Sequence, residues 1–326
     1  MGEVSVNNIL SHTCDVVVVR LREHPNADSL SLVNVDDFQC VVRTSDWNDG
    51  DLGIYIPPDS VVPDTDEFKF LGGKRRIKAR KLRGQWSMGL LIKAPLDATI
   101  GDDYMEKFGI VHYEPKVHGS FSSGGNDVTP PKVFAPVYDI LNFRKYSNRF
   151  EDGEEVICTE KTHGCNSRFV CLNDQIFCGS RKFWKQEDVN NLWWKALEWN
   201  PALDAWLRHH EGLVVYGEVY GQVQNLKYGA TNGELYFAAF DILDGDRWLD
   251  YDEARMVGSG LPWVPLVYRG PFDKEKILEF AEGDSSYPRA NHHREGVVIK
   301  PVNERIDRNI GRVQLKVVGN RYLSKS

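Results

Sequence analysis

The chain has 326 residues, 41% hydrophobic and 27% charged, which is ordinary for a globular protein and long enough for two domains with separate cores. A net charge of −7 excludes nucleic-acid binding through an overall positive charge, so any such contact must use local basic patches. No apolar run approaches the roughly 18 residues of a membrane span, and the N-terminus lacks a signal-peptide core, so we expect a cytoplasmic protein with no membrane partner. The six cysteines form no Cys-x-x-Cys pattern, and reduced thiols are expected.

In the N-terminal third, short apolar runs alternate with turn residues. The runs fall at residues 30–33, 41–42 and 53–57, separated by Gly, Pro and Asp. Alternation of this kind predicts a small antiparallel β-barrel. His-Pro-Asn-Ala-Asp at 24–28 and Arg-Gly-Gln-Trp-Ser-Met-Gly at 83–89 resemble segments of the OB-fold tRNA-binding modules of some aminoacyl-tRNA synthetases. This resemblance implies an OB-fold nucleic-acid-binding domain over residues 1–117.

A basic segment lies near the end of this domain. Seven of the ten residues from 74 to 83 are Lys or Arg. A strand over 78–83 would present this charge to an RNA backbone, and the candidate contacts are Lys78, Arg80, Lys81 and Arg83. The alternative is a solvated edge strand whose charges prevent aggregation.

Residues 118–132 are rich in Gly, Ser and Pro, which predicts a linker. The second domain is then expected at 133–326. Within it, a Trp- and Leu-rich stretch from 187 to 209 and a shorter stretch at 273–282 predict helices.

Lys161 lies in Glu-Lys-Thr-His-Gly-Cys-Asn at 160–166, directly after the apolar run 156–158. The pattern indicates a strand that delivers a lysine to a tight glycine turn. A lone Lys-x-x-Gly is common by chance, but further segments follow it in a meaningful order. They are Gly-Ser-Arg at 179–181, Tyr-Gly-Glu-Val-Tyr-Gly at 216–221, Phe-Ala-Ala-Phe-Asp-Ile at 237–242, Arg-Glu-Gly-Val-Val-Ile-Lys at 294–300 and Val-Gln-Leu-Lys at 313–316.

In this order, the segments resemble the covalent nucleotidyltransferases, which include RNA ligases, DNA ligases and capping guanylyltransferases. In that superfamily the lysine attacks the α-phosphate of a nucleotide and carries it as a phosphoramidate, which implies that Lys161 is the nucleophile. His163 stands where DNA ligases usually have Asp, and Arg181 follows 20 residues after the lysine. This spacing resembles the second-type phage RNA ligases.

The chemistry explains the charged residues of the later segments. A lysine must be neutral to attack, although its unperturbed pKa is about 10.4, so other cations or a metal are expected beside it. Lys300 and Lys316 are the candidates for this positive field and for binding the triphosphate. The leaving pyrophosphate favours a divalent metal, Mg²⁺ or Mn²⁺, for which Glu218 and Glu295 are the candidate ligands.

The resemblance also implies roles in ATP binding. Glu160 would seat the adenine through its backbone and Phe240 would stack on the base, while Glu218 would bind the ribose or the metal. Asn166 and Arg181 would meet a phosphate of the nucleotide or the RNA. The implied nucleotide-binding set is Glu160, His163, Gly164, Asn166, Arg181 and Phe240. The alternatives are a core position for Phe240 and a solvated charge for Arg181.

Two further features bear on the family. These ligases often carry a second lysine two residues after the last motif lysine, and here that position is Val318. An OB domain in front of the ligase domain resembles the Deinococcus-type RNA ligases.

The sequence therefore predicts an α+β protein, with an N-terminal OB-fold barrel and a C-terminal nucleotidyltransferase domain of antiparallel sheets with helices. We expect an ATP-dependent RNA ligase that uses Mg²⁺ or Mn²⁺ and acts as a monomer on nicked, RNA-containing duplexes. Two alternatives stay open: a capping-type guanylyltransferase that uses GTP, and a non-catalytic RNA-binding protein that uses the OB domain alone.

Overall fold

The computed structural model describes residues 12–115, 117 and 126–325, which divide into two compact units. The first unit contains the described chain up to Glu114, together with Asn142–Tyr146 and the C-terminal residues from Val318. The second contains the described parts of Pro115–Leu141 and Ser147–Val317. Two short segments beyond the predicted linker therefore fold with the first unit, and more than half of that linker lies outside the described residues.

The first unit is built from short antiparallel strands that pair in the orders β1-β5-β9, β2-β3-β4, β6-β10 and β7-β8. The strands are β1 (Val16–Val18), β2 (Leu21–Glu23), β3 (Leu30–Val35), β4 (Phe38–Arg43), β5 (Leu52–Ile56), β6 (Ser60–Val61), β7 (Arg80–Leu82), β8 (Gln85–Ser87), β9 (Leu90–Lys93) and β10 (Val111–His112). The alternation in β4 places Phe38, Cys40 and Val42 in the core. Short 3-10 helices lie at Thr44–Asp46, with one turn, and Asp66–Leu71, with two.

The basic segment forms a shorter strand than the sequence predicts. Ile77 and Ala79 are buried in the cores of the first unit, and the Ile77 amide donates to the Ser60 carbonyl at 2.8 Å. This irregular chain holds Lys78 outside β7, which begins at Arg80. Arg83 has φ 46° and lies in the turn to β8. The predicted strand over 78–83 is therefore wrong in extent, because packing of the apolar residues determines the path of the chain.

Two later segments complete the first unit. Helix α1 (Phe143–Tyr146) is fixed through Arg144, whose carbonyl accepts from the Asp37 amide at 3.0 Å and whose guanidinium donates to the Asp37 carbonyl at 3.1 Å. The last helix of the chain runs from Asn320 to Lys325, and its Leu323 is buried in the same core as Val33 and Phe38. This core is therefore assembled from both ends of the described chain.

The second unit contains two larger sheets with the strand orders β11-β23-β20-β12-β19 and β15-β14-β13-β16-β17-β18. A small hairpin pairs β21 with β22. The strands are β11 (Leu141–Asn142), β12 (Glu155–Glu160), β13 (Cys165–Leu172), β14 (Gln175–Ser180), β15 (Trp184–Lys185), β16 (Val214–Gly221), β17 (Leu235–Asp244), β18 (Arg247–Trp248), β19 (Leu266–Pro271), β20 (Gly296–Pro301), β21 (Ile306–Asp307), β22 (Gly311–Arg312) and β23 (Leu315–Val318).

Helices cover one face of the six-stranded sheet. The helices of this unit are α2 (Leu192–Trp199), α3 (Pro201–His209), α4 (Tyr251–Val257) and α5 (Lys274–Phe280), which makes the helix at Asn320–Lys325 α6. The single helix predicted over 187–209 is broken at Asn200, because Pro201 begins α3 at a position where its missing N–H costs nothing. The helix predicted at 273–282 is confirmed as α5, which Asp273 caps. Among the described residues, no helix is long and apolar enough to cross a membrane.

Strand alternation in β16 orients the site. Val215 and Val219 pack in the core under α2 and α3, so Glu218 points to the opposite face of the sheet. That face and the five-stranded sheet line one pocket, to which β12 and β20 contribute from the other side.

Candidate active site

Lys161 follows β12 directly, and its amide donates to the carbonyl of Gly296 at the start of β20 at 2.9 Å. The turn after it passes very close to β16. A Cβ atom on Gly164 would lie 2.2 Å from the carbonyl oxygen of Val219, so only glycine fits at this position. A backbone hydrogen bond at Lys161 and the close approach at Gly164 therefore fix the path of the chain around the lysine.

Glu295 connects Lys161 to His163. The ammonium of Lys161 donates to one carboxylate oxygen at 2.5 Å, and Nδ1 of His163 lies 2.9 Å from the other. Burial alone would raise the pKa of Glu295, but the charge of Lys161 and the hydrogen bond of His163 outweigh it and lower the pKa to about 2. Glu295 is therefore ionised and holds the amine in place.

Glu218 and Lys316 complete the immediate surroundings of Lys161. Burial raises the pKa of Glu218 to about 8, the charge of Glu295 adds to the shift, and Lys161 opposes it. Burial also lowers the pKa of Lys316 to about 8, and the positive charge of Lys161 acts in the same direction. Lys316 is thus a second basic group that interacts electrostatically with Lys161.

Lys300 lies in a different environment from the one expected. Its ammonium donates to Asp241 and, at 2.9 Å, to Glu304, and both carboxylates also bind Arg312. Lys300 lines the pocket, but two carboxylates neutralise its charge. Acidic partners from other segments surround Lys300, and its contribution to the positive field beside Lys161 stays a prediction.

The pocket beside Lys161 lies between the two larger sheets of the second unit. It is lined by Tyr138, Ile140, Ile157, Thr159, Glu160, Lys161, Thr162, Asn166, Glu218, Phe240, Asp241, Val264, Val298 and Lys300. Phe240 is half-buried, and its ring centre lies 4.6 Å from that of Tyr138, so it forms part of the pocket wall. The carboxylate of Glu160 is 1% exposed and accepts from the Ser285 hydroxyl and the Ser286 amide, both at 2.6 Å.

Asn166 and Arg181 are the two residues predicted to contact a phosphate. Asn166 pairs with Glu218 across β13 and β16, and its Oδ1 is buried without a hydrogen-bond partner in the described chain. Arg181 lies 3.3 Å from Asp139, and its charge helps to lower the pKa of Lys316. The structure therefore brings Asn166 and Arg181 into the neighbourhood of Lys161 and Lys316.

Among the described residues, no cluster of three or more His, Cys, Asp or Glu side chains could hold a metal ion. The charge of Glu295 contributes to the raised pKa of Glu218, so these two carboxyl groups interact electrostatically with each other and with Lys161. Two carboxylates fit a divalent ion of the Mg²⁺ type, which keeps water ligands and binds substrate phosphates rather than a complete protein cage.

Sequence reasoning missed the residues around Lys300. Asp241 directly follows Phe240 in a segment already singled out, and that adjacency was an available signal. Glu304 and Arg312 lie outside every recognised motif, and no pattern in the sequence marks them.

In the first unit, the basic segment borders a separate depression. Lys74, Lys78 and Arg80 line it together with Trp47 and Leu91, and these three cations form no ion pair with any described residue. Lys81 approaches the Trp86 ring at 6.0 Å, and Arg83 is exposed in its turn. The predicted RNA contacts are thus accessible and largely free of carboxylates.

Comparison with known families assigns this arrangement to a class. The RNA ligase family model matches residues 154–318, about half of the chain and all of its lysine and glutamate segments. An OB-fold domain model matches residues 15–95. The chain belongs to the RNA ligase family, with an OB-fold domain in front of the ligase domain, and the predicted fold class is confirmed.

Solved structures of an RNA ligase from Naegleria gruberi share this fold. A lysine-to-alanine mutant with ATP and Mn has a TM-score of 0.81 at 23% identity, covering 96% of this chain and 99% of its own. The ligase with PPi has a TM-score of 0.80 at 24% identity, with 97% and 99% covered. A lysine-to-methionine mutant with AMP and Mn gives 0.80 at 24%, with 96% and 98% covered. No curated protein sequence matches the chain.

Proposed function

We propose that this protein is an ATP-dependent RNA ligase that seals breaks between a 3′-hydroxyl and a 5′-phosphate, chiefly nicks in RNA-containing duplexes. The observation that carries the proposal is the position of Lys161, which follows β12 directly and lines a pocket beside Glu218, with Glu295 and Lys316 acting on its charge. The similar Naegleria structures contain ATP, AMP or PPi, which supports a nucleotide in the same pocket.

In the first step, the Lys161 amine attacks the α-phosphate of ATP. A nitrogen–phosphorus bond forms, and the bond to pyrophosphate breaks. Burial lowers the pKa of Lys316 to about 8 and the charge of Lys161 adds to this shift, and two neighbouring cations of this kind would favour proton loss from the pair. Phe240 would stack on the base, and the backbone beside Glu160 would contact its edge.

Glu218 and Glu295 would hold the divalent ion, Mg²⁺ or Mn²⁺. A bound ion would neutralise charge on the phosphates and the departing pyrophosphate. It would also favour the ionised form of Glu218, whose pKa of about 8 otherwise keeps much of this side chain protonated at neutral pH.

Two further steps would complete sealing. AMP passes from Lys161 to the 5′-phosphate of the RNA, and a 3′-hydroxyl then attacks that phosphate and releases AMP. Asn166 would bind a phosphate through its amide N–H groups and Arg181 through its guanidinium in these steps, since Asn166 lines the same pocket as Lys161 and the charge of Arg181 acts on Lys316. Lys316 would stabilise the negative charge that develops on the phosphate.

The first unit would bind the RNA. Lys78, Arg80, Lys81 and Arg83 are accessible, and exposed cations without ion pairs attract a phosphate backbone. Because these contacts lie outside the pocket of the second unit, we expect them to affect substrate affinity rather than formation of the lysine adduct. We propose that the protein acts as a monomer in the cytoplasm.

Labelling with radioactive nucleotides tests the central step. The protein with [α-³²P]ATP and Mg²⁺ or Mn²⁺ should form an acid-labile, base-stable adduct that Lys161→Ala abolishes. Lys182→Ala, which removes an exposed lysine from the same unit, is the matched control and should label normally. Labelling by GTP alone would instead support the guanylyltransferase, and an unlabelled wild type would support the RNA-binding alternative.

A further inference from the structure

Lys300, Asp241, Arg312 and Glu304 form a closed ring of ion pairs at the wall of the pocket. Lys300 donates to both carboxylates, as described above. Arg312 donates to Asp241 at 3.0 Å and to Glu304 at 2.7 and 2.5 Å. None of the four side chains is more than 10% exposed.

The ring is electrically balanced, with two cations and two anions. Burial would raise the pKa of Asp241, but Arg312 and Lys300 outweigh it and lower the pKa to about 2. Burial acts against the charge of Arg312, but Asp241 outweighs it and raises the pKa above its usual range. Asp241 and Arg312 are therefore charged at neutral pH, and they pair with each other and with the other two members of the ring.

The ring also restricts the orientation of the Lys300 ammonium. An ammonium has three N–H donors, and two of those on Lys300 are used by Asp241 and Glu304. The third donates to neither carboxylate, the other two determine its direction, and Lys300 lines the pocket. Arg312 binds the same two carboxylates and stacks 4.1 Å over the Trp248 ring, so it determines where those acceptors lie.

We propose that Arg312 is a positioning residue for nucleotide transfer, which holds the Lys300 ammonium so that its remaining N–H meets a phosphate oxygen of the bound nucleotide. The inference rests on the proposed function, since it assigns a phosphate to Lys300. Without Arg312, two buried carboxylates would face one ammonium, and their excess negative charge would repel the phosphate.

The test compares four variants of the full-length protein in the rate of Lys161 adduct formation against ATP concentration. Arg312→Gln removes the positioning group, and Arg312→Lys keeps its charge. Glu304→Gln with Arg312→Gln leaves one cation and one anion, so the charge of the ring is balanced again. Arg305→Gln is the matched control, since Arg305 binds Glu154 at 2.5 and 2.7 Å in the same unit and makes no contact with Lys300.

We expect Arg312→Gln to raise the KM for ATP by about 10-fold or more, the effect of losing a charge-assisted hydrogen bond, and to lower the melting temperature. The balanced double variant should recover the melting temperature but not the KM. Arg312→Lys should recover part of the KM, and Arg305→Gln should leave it within about twofold of wild type.

Two results would overturn the inference. One is a wild-type KM and rate for Arg312→Gln, and the other is full recovery of KM in the double variant, which would reduce the ring to charge balance alone. Should Arg312→Gln fail to fold, the double variant decides. A wild-type protein that forms no adduct would refute the proposed function itself, which is a distinguishable result.

Discussion

The two units of this protein use positive charge in opposite ways. In the pocket of the second unit, Lys161 and Lys300 are held by carboxylates at hydrogen-bond distance. In the first unit, Lys74, Lys78 and Arg80 form no ion pair with any described residue. A buried, paired cation has a fixed direction, whereas an exposed one acts through a field that salt screens. Under the proposed function, we therefore expect one set to orient reacting groups and the other to supply affinity for RNA.

The largest effect is expected from removing the nucleophile. Lys161→Ala should lose ligation with ATP completely, because no adduct can form. On a nick that already carries a 5′-adenylyl group the first step is bypassed, and the variant should regain measurable sealing. A gel assay on both substrates gives the result. No sealing of a verified adenylylated nick by Lys161→Ala would require a different reaction scheme.

The paired carboxylates come next. Glu295→Ala and Glu218→Ala should each lower the rate of adduct formation by about 100-fold or more, since both variants lose a proposed metal ligand and Glu295→Ala also releases the Lys161 amine. Rapid-quench labelling at several Mn²⁺ concentrations measures this loss. Partial recovery at high Mn²⁺ is expected if the carboxylates bind metal, and a rate that never depends on Mn²⁺ would contradict that role.

Removing the unpaired cations should have a smaller effect that depends on salt. A variant with Lys78, Arg80 and Lys81 changed to Gln should bind nicked RNA about 10-fold more weakly at 0.1 M salt, with a flatter salt dependence because fewer counterions are released. Adduct formation should be unchanged.

The matched control removes the same charge from paired positions of the first unit. Arg20, Lys69 and Lys93 each bind an aspartate, so changing these three to Gln should leave RNA affinity nearly constant. Equal losses in the two triple variants would indicate that only net charge matters, and the comparison between the units would fail.

The smallest effect concerns stability and pH in the absence of metal. The folded protein holds a proton on Glu218 up to about pH 8, against an ordinary value of 4.5, so this group destabilises the fold as pH rises across that window. Glu218→Gln should be more stable than wild type by about 1–2 kcal/mol at pH 8, with little difference near pH 4.5. Thermal unfolding in EDTA at pH 5, 6.5 and 8 measures this.

Glu295→Gln is the control, because the fold lowers the pKa of Glu295 whereas it raises that of Glu218. Its carboxylate has a pKa of about 2 in the fold, so its stabilising contribution is complete above the unfolded value and is lost only as pH falls toward 2. The variant should therefore be destabilised by a constant amount from pH 5 to 8. Parallel pH profiles for the two variants would contradict the assigned titrations.

Sequence reasoning predicted the parts of the site that local pattern determines. Lys161 and Glu295 border β12 and β20, and neighbouring strands bring their segments together. The ring around Lys300 was not predictable, because Asp241, Glu304 and Arg312 come from separate segments and meet only through the packing of side chains. The break between α2 and α3 was marked by Pro201, a signal that the helical interpretation of 187–209 overlooked.

The first unit combines early and late segments of the chain, and this affects the order in which it can fold during synthesis. Leu323 lies in a core whose other members were translated before residue 92, and α1 docks on the same unit. A ribosome therefore makes the second unit in full before the first unit can receive its last helix. The apolar surface that α6 covers stays exposed on the nascent first unit, so a chaperone that shields nascent chains should bind there until residue 323 has left the ribosome.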